Sequence, residues 1–288
     1  MHDIFFFTDI HGMYDLYKAI MNYCWVQDPE ATIIFGGDAC DRGRDGYKIM
    51  KELLDNPYAV YLKGNHEDMF VDAAREIKSH FDFYEMDREE VKSTLEKTRM
   101  FKDKYIHIQD SLYNGGIDTL TDWVMDGMDM EFVDQIDKLP LTFSTDTCDF
   151  CHAAGVYQTF LTVAHDEYYE RPVKEELKNI ILWTRSAFNI GWAPGRTAIF
   201  GHTPVPCLDE FMEMAWEDDI DIQPYKWVGK FDPEMTGAKI DMDTGAAFAG
   251  TAYVLNVRTM KAQGFEDLDV TAKMKELHDV KKIDCVQM

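Results

Sequence analysis

Five short segments of the chain gather side chains that can bind a metal ion or move a proton. In order they are FFFTDIHG with Asp9 and His11, IIFGGDACDRG with Asp38, Asp41 and Arg42, VYLKGNHE with Asn65, His66 and Glu67, DFCHAAG with His152, and AIFGHTP with His202. Each follows an apolar run, and four of the nine histidines fall in these segments. Singly, each has a plain explanation, since Gly, Asp and Asn favour turns by tolerating positive φ or hydrogen-bonding their own backbone. Independent turns would rarely place metal-capable side chains just past a strand end five times over.

Carboxylate, amide and imidazole donors in this mixture suit a pair of divalent cations that share a bridging carboxylate. Two such cations about 3.5 to 4 Å apart can clamp a phosphoryl group and supply the hydroxide that attacks it. Asp38 belongs to the central segment and is the natural bridge. The first metal then takes Asp9, His11 and Asp38, and the second takes Asp38, Asn65, His152 and His202.

The elements that must position these groups follow from periodicity. DIFFFTD, ATIIFGGD and YAVYLKGN read as strands, and each leads into a segment with helical spacing: MYDLYKAIMNYC, GYKIMKELLDN and EDMFVDAAREIKSH. Strand, loop and helix repeated three times predict an α/β layered start, and the strand ends are where such proteins place their chemistry. Residues 81 to about 138 are charge-dense with helical spacing, which predicts a helical insertion or cap. The chain then turns β-rich at LTFSTDT, CDFCHAAG, TAIFGHT, AKIDMDTG and TAYVLNV. The acidic, aromatic stretch 208 to 230 is expected to be a surface loop, and the tail after residue 258 is charged and partly helical in pattern. No Pro/Gly linker divides the chain, so a single domain over residues 1 to 288 is expected.

Composition bounds the function. The 46% hydrophobic content supports a sizeable core and argues against global disorder. Asp and Glu total 53 against 29 Lys and Arg, a formal net charge of -24. That field opposes long nucleic acids, whose non-specific binding needs clustered Lys and Arg. No apolar run approaches the roughly 20 residues of a membrane span. The start lacks the basic region and cleavage site of a signal peptide, and six scattered cysteines fit a reduced, cytoplasmic setting. Cys148 and Cys151 have C-x-x-C spacing without a second pair, and are expected to be small residues of a buried strand.

In this order and spacing, Asp9-Ile10-His11-Gly12, Gly37-Asp38-Ala39-Cys40-Asp41-Arg42-Gly43 and Gly64-Asn65-His66-Glu67 resemble the signature of the phosphoprotein phosphatase family within the calcineurin-like metallophosphoesterase superfamily. The later HAAG, LWTR, GHTP and DMDTGAAFAG segments resemble its bacterial and bacteriophage-type members, which grade into the symmetrical diadenosine tetraphosphatases. The resemblance spans about residues 3 to 257. It implies an αββα sandwich of two mixed sheets flanked by helices, with two divalent metals at the strand ends. Mn²⁺ is expected from family and ligand type, with Fe or Zn as alternatives. It also implies that His66 is the general acid, that Asp41 orients it, and that Arg42 and Arg185 fork onto phosphate oxygens.

The activity so implied is hydrolysis of phosphoserine or phosphothreonine in proteins. The alternatives are hydrolysis of dinucleoside polyphosphates and a non-catalytic metal-binding protein. Two departures from the family pattern stand out. Lys63 replaces the arginine many members carry before Gly-Asn-His-Glu, which loses a bidentate phosphate contact. Pro204 stands where many phosphodiesterases and nucleases have a second histidine, which argues for monoester or pyrophosphate substrates. Asn114 is expected to be a turn residue or a neighbour of the site, and Asp243 to fix a turn beside it.

Overall fold

A computed structural model describes residues 2–101, 103–153, 155–164, 171–185, 190–207, 225–228 and 236–267. The apolar run Ile4–Phe7 forms β1, and it lies between β2 (Thr32–Phe35), in parallel, and β9 (Thr251–Asn256), antiparallel. Strand β3 (Ala59–Tyr61) extends the sheet beyond β2, and β10 (Lys261–Glu266) closes the other edge, giving the order β10-β9-β1-β2-β3. Alternation sends Phe5 and Phe7 of β1 to one face and Phe6 to the other, and all three are buried. A strand covered on both faces has to be apolar throughout, which is why no polar residue interrupts the run.

Helices α1 (Tyr14–Gln27), α2 (Gly46–Asp55) and α3 (Asn65–His80) cover the outer face of this sheet. Four further helices form the predicted insertion: α4 (Arg88–Lys97), α5 (Ile106–Tyr113), α6 (Ile117–Met125) and α7 (Met130–Asp137). Their apolar residues, among them Leu95, Leu112, Trp123 and Phe132, join the same cluster as Phe5, Phe7 and Phe35. The insertion is therefore continuous with the core and packs chiefly on α3.

The second sheet has the order β4-β5-β6-β8-β7, built from Thr142–Ser144, Cys148–Cys151, Thr197–Phe200, Ala238–Asp241 and Tyr225–Val228 for β4, β5, β6, β8 and β7. Its central strands β5, β6 and β8 are parallel, and its two edge strands are antiparallel. Between the sheets, Phe6, Ile34 and Leu62 pack with Cys148, Phe150, Ile199 and Ile240. On the far face, α8 (Tyr157–Ala164) and α9 (Arg171–Trp183) contribute Phe160 and Ile181 to a cluster with Cys151, Trp192 and Phe200. The layers run helix, sheet, sheet, helix, as expected.

Three local expectations change. Residues 225–228 of the stretch read as a loop form strand β7, and the rest of that stretch lies outside the described residues. Residues 261–266, within the tail, form β10, an edge strand in which Lys261, Ala262, Gln263 and Glu266 are exposed, so the run lacks the apolar signal of a strand. Helices α8 and α9 fall in a region whose sequence had suggested only strands. Cys148 and Cys151 are both buried, but strand alternation places them in clusters on opposite faces of the sheet, so they do not form a redox or zinc pair. Among the described residues, no helix is long and apolar enough to cross a membrane.

Candidate metal centre

The loops after β1, β2, β5 and β6 and the N-terminus of α3 meet at one end of the two sheets. Backbone hydrogen bonds lay the first loop on the second: Asp9 N to Gly37 O at 3.0 Å, His11 N to Asp38 O at 3.0 Å, and Gly12 N to Ala39 O at 2.8 Å. Asp9, His11, Asp38, Asp41, Arg42 and His202 all have φ between 45 and 72°. For a residue with a Cβ the left-handed region costs about 1 to 2 kcal/mol. Strain of this kind gathers where geometry must be held for function, and here it turns successive side chains inward from short loops.

Two clusters result, one of His11, Asp38 and His66 and one of Asp38, His152 and His202, each with its ligating atoms within 4.8 Å of one another. Asp38 belongs to both, which is the position of a bridge. Its Oδ2 lies 3.6 Å from His11 Nε2 and its Oδ1 lies 3.4 Å from His152 Nε2. Asn65 Oδ1 lies 2.9 Å from His152 Nε2 and 3.0 Å from His202 Nδ1. All of these side chains are buried.

The donor chemistry fits cations. His11 Nδ1 lies 2.9 Å from Cys40 O, and His152 Nδ1 lies 2.9 Å from Gly36 O. A carbonyl can only accept, so Nδ1 carries the proton in both rings and Nε2 presents a lone pair. Those lone pairs face the oxygens of Asp38 and Asn65, an arrangement of acceptors against acceptors that a divalent cation between them relieves. Burial drives His11, His202 and His152 below the ordinary imidazole range, His152 down to about 3, so the rings are neutral as ligation requires. Burial and then neighbouring negative charge push the Asp38 and Asp9 carboxyls well up. Buried carboxylates crowded in this way call for positive charge.

Asp9 stands one step back from the first cluster. Its carboxylate accepts from Thr8 Oγ1 at 2.6 Å and from the His202 backbone N at 3.1 and 3.2 Å. His66 Nδ1 lies 2.8 Å from Asp41 Oδ2, and its Nε2 faces Asp38 Oδ2 at 3.8 Å and Arg42 Nη2 at 3.2 Å. Burial lowers the His66 pKa even though Asp41 opposes the shift. Arg185 lies beside the second cluster, where its charge adds to burial in keeping His202 and His152 neutral.

Lys63 turns away from the centre. Its buried Nζ lies 3.0 Å from Asp137 Oδ1 of α7 and 3.4 Å from Asp68 Oδ1 of α3, so it ties the insertion to the helix that carries Asn65 and His66. Asn114 caps α5, its backbone N and Nδ2 both donating to Asp110 O. Asp243 accepts from Gly245 N at 2.9 Å and fixes a turn, and burial raises its carboxyl to about 6.

Glu67 is the residue whose part the motif did not disclose. One oxygen accepts from Asp38 N and Gly64 N, both at 2.8 Å; the other accepts from Ala39 N at 2.7 Å and Tyr61 Oη at 2.8 Å. One buried carboxylate thus fastens the Asp38 loop to the start of α3. The sequence signal was a glutamate three residues after the glycine that begins the helix, a helix-start pattern. At the rim, the half-exposed ring of Trp183 meets His202 edge-on, with centroids 6.0 Å apart. It lines an open cavity of about 650 Å³ with Glu175, Glu176, Asn179, Ile180 and Thr184.

Residues 2–206 match the family model described as calcineurin-like phosphoesterase. No curated protein matches the chain significantly. Among solved structures, a candidate diadenosine tetraphosphatase aligns with a TM-score of 0.50 and 13% identity over 93% of this chain and 95% of its own. A metallophosphoesterase from Sphaerobacter thermophilus aligns at 0.45 and 11%, over 96% of this chain and 94% of its own. A serine/threonine phosphatase from Saccharomyces cerevisiae aligns at 0.46 and 12%, over 93% and 80%. At such identities the likeness is one of fold.

Proposed function

Because the chain belongs to the calcineurin-like phosphoesterase family, we propose that it is a metal-dependent phosphatase of phosphoserine and phosphothreonine side chains. The observation that carries this reading is the His66–Asp41 pair, 2.8 Å apart and directed at the cluster that shares Asp38. Release of a serine or threonine side chain expels a strongly basic alkoxide, which needs a proton in the transition state. A nucleotide phosphate leaves as a stable anion and needs one far less.

Asp38, Asn65, His152 and His202 would hold one cation, and His11, Asp38 and Asp9 the other, with Mn²⁺ expected and Fe or Zn as alternatives. Bound there, the cations would withdraw charge from the phosphoryl oxygens and activate a water. The protein's own groups do the rest. Asp41 accepts from Nδ1 of His66, which fixes the ring so that Nε2 points toward the leaving oxygen and, once protonated, can donate to it. Arg42 Nη2, a donor only, lies 3.2 Å from that same Nε2 and covers its lone pair. A phosphate oxygen that draws the guanidinium away, in a bidentate grip suited to its planar fork, frees the Nε2 lone pair to take up from solvent the proton that the ring then delivers to the leaving oxygen. Arg185 approaches from the side of the second cluster. Sheets and insertion act here as one catalytic domain.

A second reading, hydrolysis of dinucleoside polyphosphates, is favoured by Trp183, whose half-exposed ring beside His202 could stack on a base. The test offers the Mn²⁺-loaded protein a phosphothreonine peptide and diadenosine tetraphosphate at equal concentration. Faster turnover of the peptide is expected, and preferential splitting of the dinucleotide would replace the first reading with the second. His66→Asn is expected to lose about 10² to 10⁴ in kcat on the peptide; a fully active variant would end the general-acid assignment.

A further inference from the structure

Two buried polar atoms next to the His66–Asp41 pair have no hydrogen-bond partner: Oδ1 of Asp41 and Oγ of Ser111. Both residues are fully buried, and Asp41 comes from the β2 loop whereas Ser111 comes from α5 of the insertion. Gly116 lies against both. A Cβ built there would lie 2.2 Å from Ser111 Oγ and 3.1 Å from Asp41 Oδ1, so any other residue would push a methyl group between the two oxygens. The atoms are no farther apart than those two distances laid end to end, within the span of two hydrogen bonds through a water.

A carboxylate oxygen can only accept, and a hydroxyl is free to donate. An unpaired carboxylate oxygen away from water is costly. The adjacent Cys40 offers only a thiol, a weak donor. The insertion meets this loop at two further points: Thr119 Oγ1 accepts from Asp41 N at 3.0 Å, and Gly115 O accepts from Arg42 N at 3.0 Å.

We infer that Ser111 is a positioning residue for catalysis, its hydroxyl donating through one water to Oδ1 of Asp41, so that Oδ2 stays aimed at His66. The inference deepens the general-acid reading and rests on it. Deprived of that donor, Asp41 turns to seek another, and His66 loses the partner that fixes its ring. The helical insertion is then the wall that holds the acid in place, which explains why its packing is continuous with the core.

The test compares Ser111→Ala, Ser111→Thr and His66→Asn, all Mn²⁺-loaded, on a phosphothreonine peptide and on p-nitrophenyl phosphate, whose leaving group needs little protonation. Ser111→Ala is expected to lower the ratio of kcat on the peptide to kcat on the aryl ester about tenfold with little change in KM, and Ser111→Thr, which keeps the hydroxyl, to restore it. In the metal-free protein, the downfield proton resonance of His66 Nδ1–H is expected to shift or vanish in Ser111→Ala. An unchanged ratio in Ser111→Ala, beside a collapsed ratio in His66→Asn, overturns the role of Ser111 alone. An unchanged ratio in His66→Asn overturns the general-acid reading beneath it. Should Ser111→Ala melt too low to assay, Ser111→Cys, a near-isosteric weak donor, is expected to give a partial loss of the ratio and overturns the role if it gives none.

Discussion

At the scale of single residues, the centre is held from behind by groups that touch no metal. A Cβ on Gly64 would stand 2.2 Å from Asp38 Oδ1, so α3 can begin this close to the Asp38 carboxylate only with glycine at that point. Glu67 adds four hydrogen bonds, three of them to backbone N–H groups of Asp38, Ala39 and Gly64. Glu67→Gln puts an amide where one carboxylate oxygen stood, and its NH₂ cannot accept, so two of those donors lose their partner. A loss of about 3 kcal/mol or more in denaturant unfolding is expected, together with a fall on the order of tenfold in Mn²⁺ affinity by titration calorimetry. Full stability in the variant would show that the donors find water instead. All six proposed ligands were visible in short motifs because strand, loop and ligand are neighbours in the chain; Glu67 stood in plain view within one of them, but its partner Asp38 lies 29 residues away.

At the scale of elements, the second sheet is pinned by a charge its sequence did not advertise. Asp149 of β5 is buried, yet it receives Arg196 Nε at 2.7 Å and Nη2 at 2.5 Å, Trp192 Nε1 at 2.8 Å, and Ser144 Oγ at 2.7 Å. Burial pushes its carboxyl up, but these donors, Arg196 foremost, outweigh burial and hold it below the ordinary value. A carboxyl whose folded pKa lies under its unfolded one contributes stability above the unfolded value, about 3.9, and loses it as pH falls through the folded value. Asp149→Asn is therefore expected to be less stable than the parent by about 3 kcal/mol at pH 7, with the gap narrowing as pH drops below about 4. Melting curves across that range check the sign, and a gap that does not change with pH would contradict it. This pair matters to the site because His152 directly follows β5.

At the scale of the whole molecule, a net charge of -24 surrounds a centre that is itself rich in buried carboxylates. Cations that bind the folded centre and not the unfolded chain stabilise by mass action, about 2.7 kcal/mol at a hundredfold excess over Kd. For a chain of this size that corresponds to a rise of about 5 °C or more in Tm. Adding Mn²⁺ to chelator-treated protein is expected to produce it, and calorimetry showing the same Tm with and without the ion would mean that the two clusters do not take up metal in solution.

The sequence by itself determined the α/β layering, the helical insertion and the short strand-end motifs. Each is written in local periodicity or in ligands a few residues from an apolar run. Only the tertiary structure decided which acceptor meets which donor across the chain. It places Ser111 beside Asp41, turns Lys63 toward Asp137, separates Cys148 from Cys151 across a sheet, and makes β10 a strand. Those outcomes depend on packing between segments far apart in the chain, and local spacing carries no record of it.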